Sequence, residues 1–158
     1  PAFVFGLQML FLVIGLNASF IALAFVHLVF VLPYVFLSLS DPWRAFDRRY
    51  LQAAASMAAS PNRTFWQIRL PMLLRAVLTA AAIGFAVSIG QYLPTVLIGA
   101  GRWPTLTTEA VVLASGGDRR VIGVYAFLQM ALPLIGFAMA SLVPALLFAK
   151  RSGMKAST

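Results

Sequence analysis

Few side chains in this sequence could carry out acid–base, nucleophilic or metal chemistry. Its 158 residues include no cysteine, one histidine and four carboxylates. Thiolate chemistry is therefore excluded, and an ordinary metal site is not expected. Serine-type hydrolysis inside a membrane would need a serine beside a histidine. His27 is the sole candidate base, and Ser115 falls in a predicted turn outside the apolar segments. We expect no catalytic residue, metal or cofactor.

The composition predicts an integral membrane protein. Hydrophobic residues make up 61% of the chain and charged residues only 10%, whereas soluble domains carry about 25% charged residues. A small soluble domain could not hide this much apolar surface. The net charge of +8 could suggest nucleic-acid binding. The basic residues flank the ends of apolar segments instead of forming one polar face, so nucleic acid is not an expected partner.

The apolar segments predict an all-α polytopic helical bundle that forms one transmembrane domain over residues 1–158. A helix needs roughly 20 residues to cross the hydrocarbon core. The chain begins inside apolar sequence without an initiator methionine, so we expect the bundle to be truncated at its N-terminus. The predicted segments are a partial span 2–15, spans 19–39, 71–98 and 121–149, a polar loop 41–70, and a loop 99–120 on the opposite side.

Prolines suggest where several of these helices begin and end. Asp41-Pro42 predicts a helix start, with Asp41 as the N-cap. Within the polar loop we expect helices over 45–58 and 62–68, and Pro71 is expected to open the next span. Pro94 should kink or end that span, because it lacks an amide donor and its ring clashes one turn back. Pro133 and Pro144 are expected to kink the last span.

Four polar side chains inside the spans are candidates for lining a translocation path. Polar residues in membrane helices often face a cavity or the bundle interior, but they also serve as hydrogen-bonding contacts between helices. Both interpretations stay open for these residues, which are His27, Ser88, Gln91 and Tyr92.

The basic residues predict an orientation. The 41–70 loop, the adjacent helix start and the C-terminal tail together hold nine lysines and arginines, against three on the opposite side. Because positive residues concentrate in cytoplasmic loops, the 41–70 loop and the C-terminus should be cytoplasmic.

The polar loop contains a patterned segment. It reads Gln52-Ala53-Ala54, then Ala58, then Ala59-Ser60-Pro61, and closes with Ile68-Arg69-Leu70-Pro71. This pattern resembles the cytoplasmic signature of permease subunits of binding-protein-dependent ABC importers, which have the MetI-like fold. Two residues depart from the family pattern: Gln52 replaces the usual glutamate, and Ala58 replaces the usual glycine, which would permit a sharp turn at little cost.

The resemblance implies a transport subunit in the bacterial inner membrane and not an enzyme. ATP would be hydrolysed by separate ABC ATPase subunits that dock on the 45–70 loop. A second permease subunit and an extracytoplasmic solute-binding protein would complete the importer. The resemblance is greatest to importers of the thiamine, iron(III) or polyamine type. The expected ATPase-coupling residues are Gln52, Ala53, Ala54, Met57, Ala58, Ser60, Pro61, Phe65 and Trp66.

Two alternatives to this interpretation remain. The loop could be an amphipathic helix pair that lies on the lipid surface, since arginines beside Trp66 suit that position too. The chain could also belong to a small channel or a secondary transporter, although it shows no acid in mid-membrane and no symmetry between its halves.

Overall fold

The structure, a computed structural model, describes residues 2–47, 49–116 and 119–147. Every regular element in these ranges is helical, which confirms the all-α prediction. The elements are α1 (Ala2–Val13), α2 (Phe20–Arg44), α3 (Arg49–Ser56), α4 (Pro61–Thr64), a π-helical turn (Phe65–Arg69), α5 (Leu70–Ile89), α6 (Tyr92–Gly99), α7 (Leu106–Gly116) and α8 (Arg119–Leu147).

Within these described ranges, three helices are long and apolar enough to cross a membrane: Phe20–Arg44, Pro61–Ile89 and Arg120–Leu147. The central one packs against both of the others, so α5 lies between α2 and α8. The shorter helices α1 and α6 pack together at one end of α2, where a small apolar core forms. That core consists of Val4, Phe11, Ala22, Val26 and Ile98.

Helix α2 begins at a side-chain cap and continues further than the sequence predicted. The Ser19 hydroxyl accepts the amide of Ala22 at 3.1 Å, which satisfies one free donor of the first turn. The predicted helix start at Asp41-Pro42 was wrong, because both residues lie inside α2. The Asp41 carbonyl accepts the amide of Ala45 at 2.9 Å. Membrane helices tolerate such prolines, because neighbouring groups satisfy the backbone that the proline frees.

The polar segment after α2 contains less separate helix than expected. Residues 45–47 are not helical, so the helix predicted over 45–58 is reduced to α3. The helix predicted over 62–68 is not separate, and Pro71 does not open a new one. A single helix runs from Pro61 to Ile89. Its π-helical turn directly precedes Pro71, and this wider turn accommodates a ring that would otherwise clash one turn back.

The break in the next span lies earlier than predicted. Helix α5 ends at Ile89 and α6 begins at Tyr92, so the helical structure is interrupted at Gly90-Gln91 and not at Pro94. Pro94 sits in the first turn of α6, where amides have no helical partner and a missing donor costs little. Helix α8 runs through Pro133 and Pro144. Gly117, Asp118 and the tail 148–158 lie outside the described residues.

A close contact between α2 and α5 fixes their spacing. A Cβ added at Gly84 would lie 2.8 Å from Val35 Cγ2 and 3.0 Å from Val31 Cγ1. Valine side chains have little rotamer freedom in a helix. They cannot move aside cheaply, so the absence of a side chain at Gly84 sets how closely the two helices approach.

We expect Gly84→Ala to lower the free energy of unfolding by about 1–3 kcal/mol, the usual cost of overpacking. Thermal denaturation in detergent measures the change. Gly123→Ala is the matched control, because a Cβ there meets no atom within 4 Å. Combining Gly84→Ala with Val35→Ala should recover part of the loss. Equal losses for the two glycine variants would contradict this close contact.

Candidate functional site

A cluster of polar side chains surrounds the break between α5 and α6. His27 of α2 lies at its centre, with Nδ1 at 3.0 Å from Ser88 Oγ and Nε2 at 2.8 Å from Thr95 Oγ1. The Thr95 hydroxyl donates its proton to the Gln91 carbonyl, so it accepts from the Nε2–H of His27. Nδ1 of a neutral imidazole is then an acceptor for the Ser88 hydroxyl, and both contacts are satisfied together. One side chain on α2 thereby joins the end of α5 to α6.

Gln91 fills the break itself. Its Nε2 donates to the His27 carbonyl oxygen at 3.2 Å, and its own carbonyl accepts the Thr95 hydroxyl. Only 8% of Gln91 is exposed, and its Oε1 has no hydrogen-bond partner among the described residues. A buried amide oxygen of this kind is an open acceptor beside the histidine.

A second group of polar side chains connects the break to α7 and α8. The Thr107 hydroxyl donates to the carbonyl of Ile89, the last residue of α5. Gln129 Nε2 donates to the same hydroxyl at 3.3 Å. The Thr107 hydroxyl thus supplies a hydrogen-bond donor to a carbonyl left free at the helix end. Lipid hydrocarbon has no donor that could do the same.

The structure thus brings together three of the four predicted path residues: His27, Ser88 and Gln91. Tyr92 is adjacent and half-buried, and its hydroxyl makes no hydrogen bond among the described residues. Sequence reasoning missed Thr95 and Thr107. Thr95 stands four residues after Gln91, one helical turn along, and that spacing could have identified it.

The segment 49–60 forms a second candidate site, which we call the knob. Helix α3 ends in a Schellman turn: the Ala59 amide donates to the Ala54 carbonyl at 3.1 Å, and the Ala58 amide donates to the Ala55 carbonyl at 3.0 Å. Ala58 occupies the left-handed position, with φ of 53°. The departure from glycine seen in the sequence therefore leaves the turn in place, at a conformational cost to alanine.

The predicted coupling residues divide between exposed and buried positions. Ala54 is buried, with 4% exposed, and it holds the Schellman turn. Ser60 caps the following helix by accepting the Arg63 amide at 3.3 Å, with Pro61 at the first helical position. Ser60 and Pro61 are exposed, and so are Gln52, Ala53, Met57, Ala58, Phe65 and Trp66, of which Met57 shows 82% of its surface.

Cation–π contacts fasten the π-helical turn, which follows the knob along the chain, to the end of α2 and to Phe46. The Arg69 guanidinium lies 3.6 Å from the Trp43 ring centre and 5.6 Å from that of Phe46. Stacking of this kind is favourable because the ring face is electron-rich. Phe65 and Trp66 meet edge to face at 5.5 Å on the outer side. The π-helical turn therefore carries both the anchoring arginine and an exposed aromatic pair.

We expect His27→Leu to lower the free energy of unfolding by about 1 kcal/mol, as for hydrogen bonds between membrane helices. Because His27 and Ser88 share a contact, the double variant His27→Leu/Ser88→Ala should lose less than the sum of the single losses. Unfolding in mixed micelles measures all three. Tyr92→Phe removes a hydroxyl without a described partner and should change little. Additive losses would show that the histidine and serine are not coupled.

At the knob, the same substitution should have opposite effects at two neighbouring positions. Ala58→Gly relieves the left-handed backbone and should stabilise the turn by about 1 kcal/mol. Ala53→Gly, inside α3, should destabilise it by about 0.5–1 kcal/mol. Hydrogen exchange of the Ala58 and Ala59 amides reports both changes. Slower exchange in both variants, or in neither, would argue against the Schellman turn.

Comparison with known proteins assigns this architecture to a family. Residues 1–152 match the family described as binding-protein-dependent transport system inner membrane component. The chain is 41% identical over 150 residues to the inner membrane ABC transporter permease protein YnjC of Escherichia coli (strain K12), which covers 95% of this chain and 29% of that protein. No solved structure matches.

Two relatives of lower identity have names that state which solute their transport system handles. Identity is 26% over 138 residues to the spermidine/putrescine transport system permease protein PotC of Haemophilus influenzae, covering 87% of this chain and 54% of PotC. It is 31% over 94 residues to the molybdenum transport system permease protein ModB of Azotobacter vinelandii, covering 60% and 41%. The chain spans less than two thirds of each relative. The family match covers nearly all of the chain, and the chain therefore belongs to the binding-protein-dependent transport system inner membrane components, the permeases of ABC transporters.

Proposed function

We propose that this chain forms the core of a permease subunit in an ATP-driven importer, and that the 45–70 segment docks on a separate ATPase. The observation that carries the proposal is the knob. It presents small side chains on a short helix that is closed by a Schellman turn, next to exposed Met57 and Trp66. A groove on a partner can approach such a helix closely and grip the larger side chains as anchors.

One continuous helix links the knob to the polar cluster. The helix Pro61–Ile89 has 29 residues and would be about 43 Å long at 1.5 Å per residue. A displacement at its knob end is transmitted to Ser88, because packed helices move as rigid elements. Arg69 stacked on Trp43 makes α2 part of the same movement. We propose that ATP-driven closure of the ATPases drives alternating access in this way.

The polar cluster is the proposed element of the translocation path. His27, Ser88 and Gln91 lie inside the bundle where α5 ends and α6 begins, with Tyr92 beside them. The unpartnered Gln91 Oε1 supports this role, because it leaves an acceptor for a solute or a water molecule. A second permease subunit would supply the facing wall of the path, and an extracytoplasmic binding protein would deliver the solute.

The proposed orientation places the knob and the C-terminus in the cytoplasm of a bacterial cell, with α1–α2 and α6–α7 connections on the outer side. The excess of basic residues around the knob supports it. For the substrate, we propose the thiamine, iron(III) or polyamine type. The spermidine/putrescine permease relatives support the polyamine member of that group, since they match over most of this chain.

The docking proposal predicts which positions cross-link to an ATPase. The chain has no native cysteine, so Ala55→Cys and Met57→Cys report from exposed positions of the knob. Co-expressed with the ATPase of its own transport system, both should cross-link, and the yield should change with ATP. Ala54→Cys is the control, because its side chain is buried and should react poorly.

Two results would contradict docking at the knob. One is cross-linking at the buried position as strong as at the exposed ones, which would report unfolding. The other is labelling of Met57→Cys by a lipid-phase probe without any cross-link to the ATPase. That second outcome would place the knob on the membrane surface, as an amphipathic segment would lie.

A further inference from the structure

An apolar groove runs along one face of α2. It has a volume of about 430 Å³, and its lining residues recur at helical spacing from Leu32 to Arg44, with Phe36, Leu39 and Trp43 between them. Twelve residues of helix extend over about 18 Å, close to the ~15 Å depth of hydrocarbon in one leaflet. Leu32 and Phe36 expose more than half of their surfaces. The groove therefore has the length and polarity of a slot for an acyl chain.

A small basic pocket adjoins the groove. Its volume is about 230 Å³, and it shares Trp43 and Arg44 with the groove. Phe46, Leu51 and Arg69 complete its lining. Two arginines thus meet at the end of an apolar slot, beside a tryptophan of the kind that marks the interface between membrane and water.

Neither arginine is neutralised within the described part of the chain. The Arg44 side chain is exposed and makes no ion pair or hydrogen bond there. The Arg69 Cζ lies 3.6 Å from the centre of the Trp43 ring, and this contact supplies no hydrogen-bond acceptor to the N–H donors of the guanidinium. Its Nε is buried and has no hydrogen-bond partner among the described residues. A buried donor without an acceptor is unfavourable, and an anion in the pocket would satisfy it.

We propose that the groove and the pocket together bind one anionic phospholipid. An acyl chain occupies the groove from Leu32 to Leu39, and the phosphate lies between Arg44 and Arg69. Basic residues next to a membrane helix attract anionic lipids in this manner. The carboxylate of a protein partner could enter the pocket, but it would leave the apolar groove empty. The site does not depend on the proposed transport function.

Native mass spectrometry of the chain in detergent tests the site, with dioleoyl phosphatidylglycerol and dioleoyl phosphatidylcholine added at equal concentration. The phosphatidylglycerol adduct should dominate. Arg44→Gln should lower that preference about fivefold, the contribution of one basic residue near an anionic surface. Arg102→Gln is the matched control, since it makes the same charge change in the connection between α6 and α7 and should leave the preference intact.

Two further variants separate the parts of the site. Leu39→Trp fills the groove and should reduce binding of both lipids. Arg69→Gln removes a charge from the pocket and also the contact with Trp43. If that variant fails to fold, the result for Arg44→Gln decides whether the pocket binds the phosphate. The proposal is overturned if the unmodified chain binds both lipids equally, if Arg44→Gln keeps the preference of the Arg102→Gln control, or if Leu39→Trp binds both lipids as before.

Discussion

A helix that ends inside a membrane has to satisfy its own free carbonyls and amides, and the rest of this fold depends on how that is done. Helix α5 stops at Ile89, well inside the bundle, and α6 starts at Tyr92. Water is not available in hydrocarbon to pair with the exposed backbone groups. In this chain the Thr107 hydroxyl of α7 donates to the Ile89 carbonyl, and the Thr95 hydroxyl of α6 donates to the Gln91 carbonyl. Gln129 of α8 and His27 of α2 hydrogen-bond to these two hydroxyls in turn. The break thereby becomes the point at which all these helices are joined.

Other kinds of contact hold α5 against α2 away from the break. Near Gly84, one turn from Ser88, the two long helices approach so closely that a methyl group would collide with two valines. At the other end, Arg69 of the π-helical turn lies over the ring of Trp43. Polar bonds at the break, a steric contact one turn away and a cation–π contact at the other end hold α2 and α5 side by side. Together these contacts make a pair of helices that can move as one body.

The sequence predicted long apolar helices because apolar length is a property of composition, and three helices among the described residues are long and apolar enough to cross a membrane. It predicted helix limits poorly, and three of the errors involved a proline. Pro42, Pro71 and Pro94 were all assigned to helix boundaries, yet each lies within a helix. The effect of a proline depends on whether its missing amide would have had a partner, which only the neighbouring turns determine. Pro94 falls in a first turn, and Pro71 follows a widened one.

For the candidate site, too, some residues could be predicted from the sequence and others could not. His27, Ser88 and Gln91 were found from the sequence because strongly polar side chains stand out in apolar helices. Thr95 and Thr107 were not, since a threonine hydroxyl usually bonds to its own helix and gives no sign of a longer contact. In the knob, the pattern indicated a turn at Ala58. It could not show that Ala54 faces inward, because burial at a turn depends on where the following helix packs.

The π-helical turn has a consequence for the angular relation between the knob and the bundle. An α-helix rotates by about 100° for each residue, so a turn that holds one additional residue changes the direction in which everything after it points. Phe65 and Trp66 lie before this phase shift is complete, and Gly84 lies after it. The extra residue rotates the helix before the turn relative to the helix after it, so the aromatic pair faces outward while Gly84 contacts α2. Deleting one residue from Phe65–Arg69 would preserve the hydrophobicity of the span, but the aromatic pair and Gly84 would no longer point in these two directions.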